Sequence, residues 1–241
     1  TTPRSLFWKI QAAQAALDRG FLVPSAPEVP DFYAVPGDNR ATVVWRPSAT
    51  ETAGDPYFQI AADPASALYD PDYRKYDVEG YRVWRGRSVA TMQVVAQFDQ
   101  AGTVMQDYVG QFVGPAYGNQ CAPELGVTTS CPALPFGVNL SGDVVQVRLG
   151  DRVVLQNGAV VLLHADTAVI GGSSGRQPLR DTGVPFVFID STVRNGETWL
   201  YGVTAFDVNS VRSGVSTLES PLALKAVTPR VPSSNNVPAI V

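Results

Sequence analysis

Glu197-Thr-Trp-Leu-Tyr-Gly-Val-Thr-Ala-Phe-Asp207 is the stretch that decides the fold. Its alternation puts Trp199, Tyr201, Val203 and Ala205 on one side, the period-2 pattern of a strand with one face against a core. Upstream, Glu79-Gly-Tyr-Arg-Val-Trp-Arg85 alternates in the same way and puts Tyr81 with Val83. Ala41-Thr-Val-Val-Trp-Arg46 is β-branched and aromatic and follows the turn signal Pro36-Gly-Asp-Asn39. Met92–Phe98 reads as a further strand, Pro185–Asp190 as a short buried-type one, and Leu222–Val227 as the last. Val153–Leu155 and Ala159–Leu163 flank Gln156-Asn-Gly158, which is a hairpin signature. Seven or more short strands with turn chemistry between them predict an all-β sandwich.

Three of these stretches resemble the fibronectin type III, immunoglobulin-like sandwich of bacterial exported proteins. Thr42-Val-Val-Trp45-Arg-Pro47 resembles the second strand, with its core tryptophan before a proline, and Gly80-Tyr-Arg-Val83 resembles the third. Asn195–Ala205 resembles the sixth, and Asp207–Ser220 looks like the loop into the last strand. The resemblance implies a sandwich over residues 31–228, interrupted by long insertions at about 48–77 and 100–184. Trp199 stands where the family places its corner tyrosine, so the corner hydrogen bond would come from an indole N–H. Sandwiches of this kind carry binding, adhesive and structural roles alike, so the resemblance speaks to fold more than to function.

The 241 residues suffice for a sizeable core without a metal or disulfide staple. Charged residues make up 17% and the net charge is −4, which offers no electrostatic footprint for nucleic acid. No window is apolar for the ~18 residues that a membrane span needs. Thr1–Gly20 lacks the continuous apolar stretch of a signal peptide. A single histidine and two cysteines exclude most catalytic and metal-site designs. Cys121 and Cys131, with nine residues between them, can close a disulfide ring in an oxidising compartment. The other reading is two unrelated thiols in a cytosolic protein. An extracytoplasmic location, periplasm or cell surface, is the expectation.

Gly171-Gly-Ser-Ser-Gly175 matches the Gly-x-Ser-x-Gly elbow in form. No helix start follows it and the only histidine precedes it, so it reads as a flexible loop. His164 ends the run Val160–Leu163 and reads as a packed or edge residue. The first insertion is acidic and aromatic. Asp70, Asp72 and Asp77 are spaced as calcium-binding loop carboxylates can be, and calcium is the one cofactor the sequence offers a place for. The competing role is turn formation, since Asp commonly precedes Pro in turns, with Arg74 and Lys75 offsetting the charge. Tyr57, Phe58, Tyr69, Tyr73 and Tyr76 either form a carbohydrate- or ligand-binding surface across 55–79 or pack the insertion onto the sandwich.

The two ends complete the expectation. Residues 1–20 predict an amphipathic helix with Pro3 in its first turn, Gly20 as its stop, and Leu6, Phe7, Trp8, Ile10 and Leu17 on its apolar side. A Pro-rich linker follows at 21–30, and 229–241 forms an extended tail carrying Pro232, Val237 and Ile240. An amphipathic helix must bury its stripe somewhere. The helix and the tail read either as folded back on their own sandwich or, the expectation taken here, as contacts to other protein subunits of a larger bacterial envelope or membrane-associated assembly, with the chain a structural subunit rather than an enzyme. A hydrolase on a sandwich scaffold is the reading with least support in the residues.

Overall fold

The computed structural model describes residues 3–18, 20, 22–71, 73–107, 112–115, 145–148, 152–155, 160–162, 182–209 and 218–232. Helix α1 spans Pro3–Asp18. Gly20 follows it at φ +70° and donates its N–H back to the Leu17 carbonyl, a left-handed stop that glycine adopts without strain. The strands are β1 (Phe32–Gly37), β2 (Arg40–Trp45), β3 (Val78–Gly86), β4 (Gln93–Asp99), β5 (Val104–Asp107), β6 (Phe112–Pro115), β7 (Val145–Arg148), β8 (Arg152–Leu155), β9 (Val160–Leu162), β10 (Val187–Asp190), β11 (Trp199–Asp207) and β12 (Lys225–Val227). Short helices α2 (Ala49–Ala53) and α3 (Phe58–Ala61) lie between β2 and β3.

Two antiparallel sheets make the sandwich. One runs β1-β2-β10 and the other β12-β11-β3-β4. Their inner faces bury one cluster: Phe32, Val43 and Trp45 from the first sheet meet Tyr81, Val83 and Val203 from the second. The period-2 reading of β3 and β11 is therefore correct, since Tyr81, Val83, Tyr201, Val203 and Ala205 all lie in that core. Trp45 packs tilted against Tyr81, Phe98 and Phe186 with ring centroids 5.8–6.1 Å apart. Gly80 is required where β3 meets β4, because a Cβ there would collide with the Phe98 carbonyl and the Phe206 ring. Smaller sheets pair β5 with β7, and β6 with β8 and β9. In the latter, Val154 opposes Val160, the register expected of the Gln156-Asn-Gly158 hairpin.

Three readings are corrected. The turn after β1 is Asp38-Asn39, with Asn39 at φ +47°, and Pro36 and Gly37 close β1 instead of forming the turn. β1 is an edge strand, where a proline removes no ladder hydrogen bond that the sheet needs. Residues 185–190 do not form a strand buried on both sides: β10 is the other edge of the three-stranded sheet and leaves Val187 and Ile189 exposed. The third concerns Trp199. Its indole N–H is buried without a hydrogen-bond partner, and the ring instead carries the guanidinium groups of Arg85 and Arg87, 4.8 and 4.3 Å from its centroid. The hydroxyl at this end belongs to Tyr201, which donates to Asp190 Oδ2 at 2.7 Å.

Trp45→Ala empties the centre of the sheet–sheet contact, so it is expected to lower unfolding stability by about 3–5 kcal/mol in urea titration. A loss under about 1 kcal/mol contradicts this packing.

Candidate interaction surface

The first insertion is a folded cap clipped to the end of the sandwich. It opens with Ser48-Ala-Thr-Glu51, the spacing of a helix capping box. The Ser48 side chain accepts from Thr50 N, as an N-cap does. The return bond is made through a third residue: Ser48 N–H donates to the Tyr81 hydroxyl at 2.8 Å, and that hydroxyl donates to Glu51. Tyr81 keeps its ring in the core and its oxygen at the rim, where a buried tyrosine must find partners. Burial, then the Glu51 hydrogen bond, push its pKa up.

Tyr57, Ile60, Ala61 and Tyr73 form a small second core, with Leu22, Phe58 and Leu68 packed against it. Tyr57 and Tyr73 meet at 5.2 Å. These aromatics therefore pack the insertion, whereas Tyr69 and Tyr76 stay exposed. The Tyr73 hydroxyl donates to Asp55 Oδ2 at 2.5 Å and accepts from Asn209 Nδ2 at 2.9 Å. Asn209 Nδ2 also lies 2.9 Å from Asp77 Oδ2 and 3.4 Å from Asp207 Oδ2. Backbone bonds reinforce the clip, from Arg74 N to the Asn209 carbonyl and from Val208 N to the Asp77 carbonyl, both 2.8 Å.

This places Asp77 away from solvent, bonded to Asn209, with Oδ1 buried and without a hydrogen-bond partner. Asp70 is half-buried, and its backbone N–H donates to the Ala61 carbonyl. Asp72 lies outside the described residues. Among the described residues no group of three or more His, Cys, Asp or Glu side chains is arranged to hold a metal ion. Burial and the neighbouring Asp55 push Asp77 up to about 7. Burial and Asp77 push Asp207 up to about 8. Glu79 is pushed up to about 7 because its burial outweighs the Arg74 guanidinium 3.1 Å away. Asp190 goes the other way. Its burial works against the anion, but hydrogen bonds from Thr192, Tyr201 and Arg85 outweigh it and lower its pKa.

The helix is the opposite case, with apolar groups facing water. Leu6, Phe7, Ile10 and Leu17 are each at least half exposed. Gln11, Gln14 and Asp18 on the polar flank border a cleft whose other wall is Asp63, Ala65, Ser66 and Ala67. Trp8 belongs to α1, but its side chain lies outside the described residues, as do Val237 and Ile240 in the tail. Pro232 is exposed. Upstream of it the tail is held along the sandwich, with Arg230 N–H on the Gly37 carbonyl and Gly196 N–H on the Pro229 carbonyl. Cys121, Cys131, His164 and Gly171–Gly175 lie outside the described residues. No helix among the described residues is long and apolar enough to cross a membrane.

Asp77, Glu79 and Asp207 have folded-state values above their ordinary ones, so the native chain holds protons that the unfolded chain releases. Their contribution is complete below about pH 4 and is lost as pH rises through 7 to 8. The urea midpoint is thus expected to fall between pH 5 and pH 8, each titrating group supplying at most about 1.4 kcal/mol per pH unit. Asp77→Asn is expected to flatten that slope. A midpoint that rises from pH 5 to pH 8 contradicts the assignment.

Comparison with models of known protein families finds no match to this chain, and comparison with curated proteins finds none.

Proposed function

We propose that this chain is a non-enzymatic structural subunit, a fibronectin type III-like sandwich that joins a larger extracytoplasmic assembly by protein–protein contacts. The observation that carries the reading is the exposed apolar stripe of α1. Burying one Leu, Ile or Phe side chain contributes about 1.5–3 kcal/mol, so four left in water are a driving force for association. An exposed apolar stripe of this kind marks an interaction site.

Seven strands make up the two sandwich sheets. Counted along the chain, β2, β3 and β11 are the second, third and sixth of them. Those are the ordinals that the resemblance assigns to Thr42–Pro47, Gly80–Val83 and Asn195–Ala205. The inward Trp45, Tyr81 and Val203 also support this family. The extracytoplasmic setting rests on Cys121 and Cys131 in the sequence. The structural role rests on where the polar side chains are used: Asp55, Asp77, Asp190 and Asp207 are buried in hydrogen bonds that tie the insertion, the loops and the strand ends together.

Deleting residues 1–20, or residues 233–241 so that the Arg230 and Pro229 backbone bonds survive, is expected to lower incorporation into the native assembly. Native gel migration reads the incorporation, and far-UV circular dichroism and the melting temperature of the purified variants should match the full chain. Unchanged incorporation of both truncated chains overturns the proposal.

A further inference from the structure

Charge is segregated between the two ends of the sandwich. Backbone register brings one set of strand ends together: Gly37 pairs with Arg40, Ala41 with Asp190, Gly86 with Leu200, and Val227 with Trp199. Arg85 donates across to Asp190 at 2.6 Å, and Arg230 N–H donates to the Gly37 carbonyl, so both sheets finish at this end. The first insertion, with buried Asp55 and Asp77, is at the other end. The linker to α1 is fastened there too, by Leu22 in the Tyr57–Ile60 cluster and by Glu28 N–H on Thr50 Oγ1 at 2.9 Å. So is the base of the second insertion, where Thr182 Oγ1 lies 2.9 Å from Asp99 Oδ1.

The end away from the insertions is basic. Arg40, Arg194 and Arg230 are exposed there and form no ion pair among the described residues. The carboxylates of this end are already engaged, Asp190 by Arg85 and Glu197 by Arg87. Asp38 Oδ1 accepts from the side-chain amides of Asn39 and Asn195 at 3.0 and 2.7 Å. Positive charge is thus in excess at one end of a chain whose net charge is −4. The same end carries apolar tips. Val89, in the turn between β3 and β4, is 71% exposed, and Val231, beside Arg230, is 61% exposed. No other large apolar residue described outside α1 is as exposed as these two.

We propose that this end of the sandwich seats on an anionic lipid bilayer, with Arg40, Arg194 and Arg230 at the headgroup phosphates and Val89 and Val231 at the boundary with the acyl chains. The contact is separate from α1 and adds a partner to the protein subunits proposed above. Guanidinium groups pair with phosphate through paired, charge-assisted hydrogen bonds. The exposed valines beside them point to a bilayer, which offers phosphate and hydrocarbon together, over a dissolved polyanion. At physiological salt a charge is felt over only about 8 Å. The local excess of arginine therefore governs the approach to the surface, and the negative charge of the rest of the chain is screened.

Vesicle flotation of the full chain tests this. Vesicles of phosphatidylglycerol and phosphatidylcholine in equal parts are compared with vesicles of phosphatidylcholine alone. The wild type is expected to float with the first, to stay behind with the second, and to be released by added salt. Arg194→Gln and Arg230→Gln should each weaken binding about fivefold, the effect of one basic side chain at an anionic surface. Val89→Ser and Val231→Ser, which change no charge, should weaken it as well. Arg46→Gln removes an exposed, unpaired arginine from the opposite end and should leave binding unchanged, as should deletion of residues 1–20. All these side chains are exposed, so the variants should fold, as circular dichroism checks. Five results overturn the inference. Equal binding to both kinds of vesicle, or no binding to either, removes the anionic bilayer. A loss with Arg46→Gln equal to that with Arg194→Gln makes net charge the cause. Loss of binding on deletion of residues 1–20, with the arginine variants unaffected, assigns the lipid contact to α1. Full competition by inorganic phosphate at matched ionic strength indicates a small-anion site. Indifference to both valine substitutions indicates a dissolved polyanion or an acidic protein as the partner.

Discussion

The pairing of β3 with β11 is the constraint on which the rest of the structure is laid. Both strands are nine residues long and are buried on both faces along most of their length. Inward, Tyr81, Val83, Tyr201 and Val203 meet Trp45 and its neighbours. On the other face Arg82 lies 4.2 Å over the Phe206 ring and pairs with Glu219 at 2.6 Å, while Trp84 donates to Thr204. A guanidinium that deep costs several kcal/mol to dehydrate unless its hydrogen bonds are met, and Gln97 and Glu219 meet two of them. The four-stranded sheet is thereby closed on both sides. The three-stranded sheet is closed on one. That asymmetry is why exposed apolar surface collects on β1, β2 and β10.

The polar groups at the two ends are fasteners. At one end the Tyr201 hydroxyl, Arg85 and Thr192 converge on Asp190. At the other, Tyr81 joins Ser48 to Glu51, and Asn209 joins Tyr73 to Asp77. Perturbed carboxyl groups often mark catalysis, but structural networks perturb them too. Here Asp77 and Asp207 are nearly inaccessible and turned toward Asn209, which fits a clip that holds the insertion against β11. The insertion is thus held to the sandwich, while the apolar stripe of the helix faces solvent.

The strong period-2 stretches were legible because one side of each must be apolar. β3 and β11 could be placed from alternation, the Trp45 strand from its β-branched and aromatic residues, and the α1 stripe from its spacing. β1 was harder, because Pro36 and Gly37 imitate a turn that begins two residues later. β10 has an inward Phe188 but carries apolar residues on its open side too, so its composition reads as burial on both faces. α2 had a signal in Ser48 and Glu51, although the closing of that box by Tyr81, 33 residues downstream of Ser48, is a tertiary event. The Asp55–Tyr73–Asn209–Asp77 clip joins residues up to 136 apart in the chain, and no local pattern announces it. Trp199 shows the same limit. Its position suggested a hydrogen-bonding corner, while Arg85 and Arg87 made it a cation-stacking one.

The central claim is that the chain works as a part of something larger. It is tested most directly by the mass and composition of the native species, taken from gently solubilised cells by pull-down of the tagged full chain and native mass spectrometry. The account predicts a stoichiometric complex containing other protein subunits in fixed ratio to this chain. Recovery of this chain alone, as monomer or dimer with no other subunit at constant ratio, contradicts it.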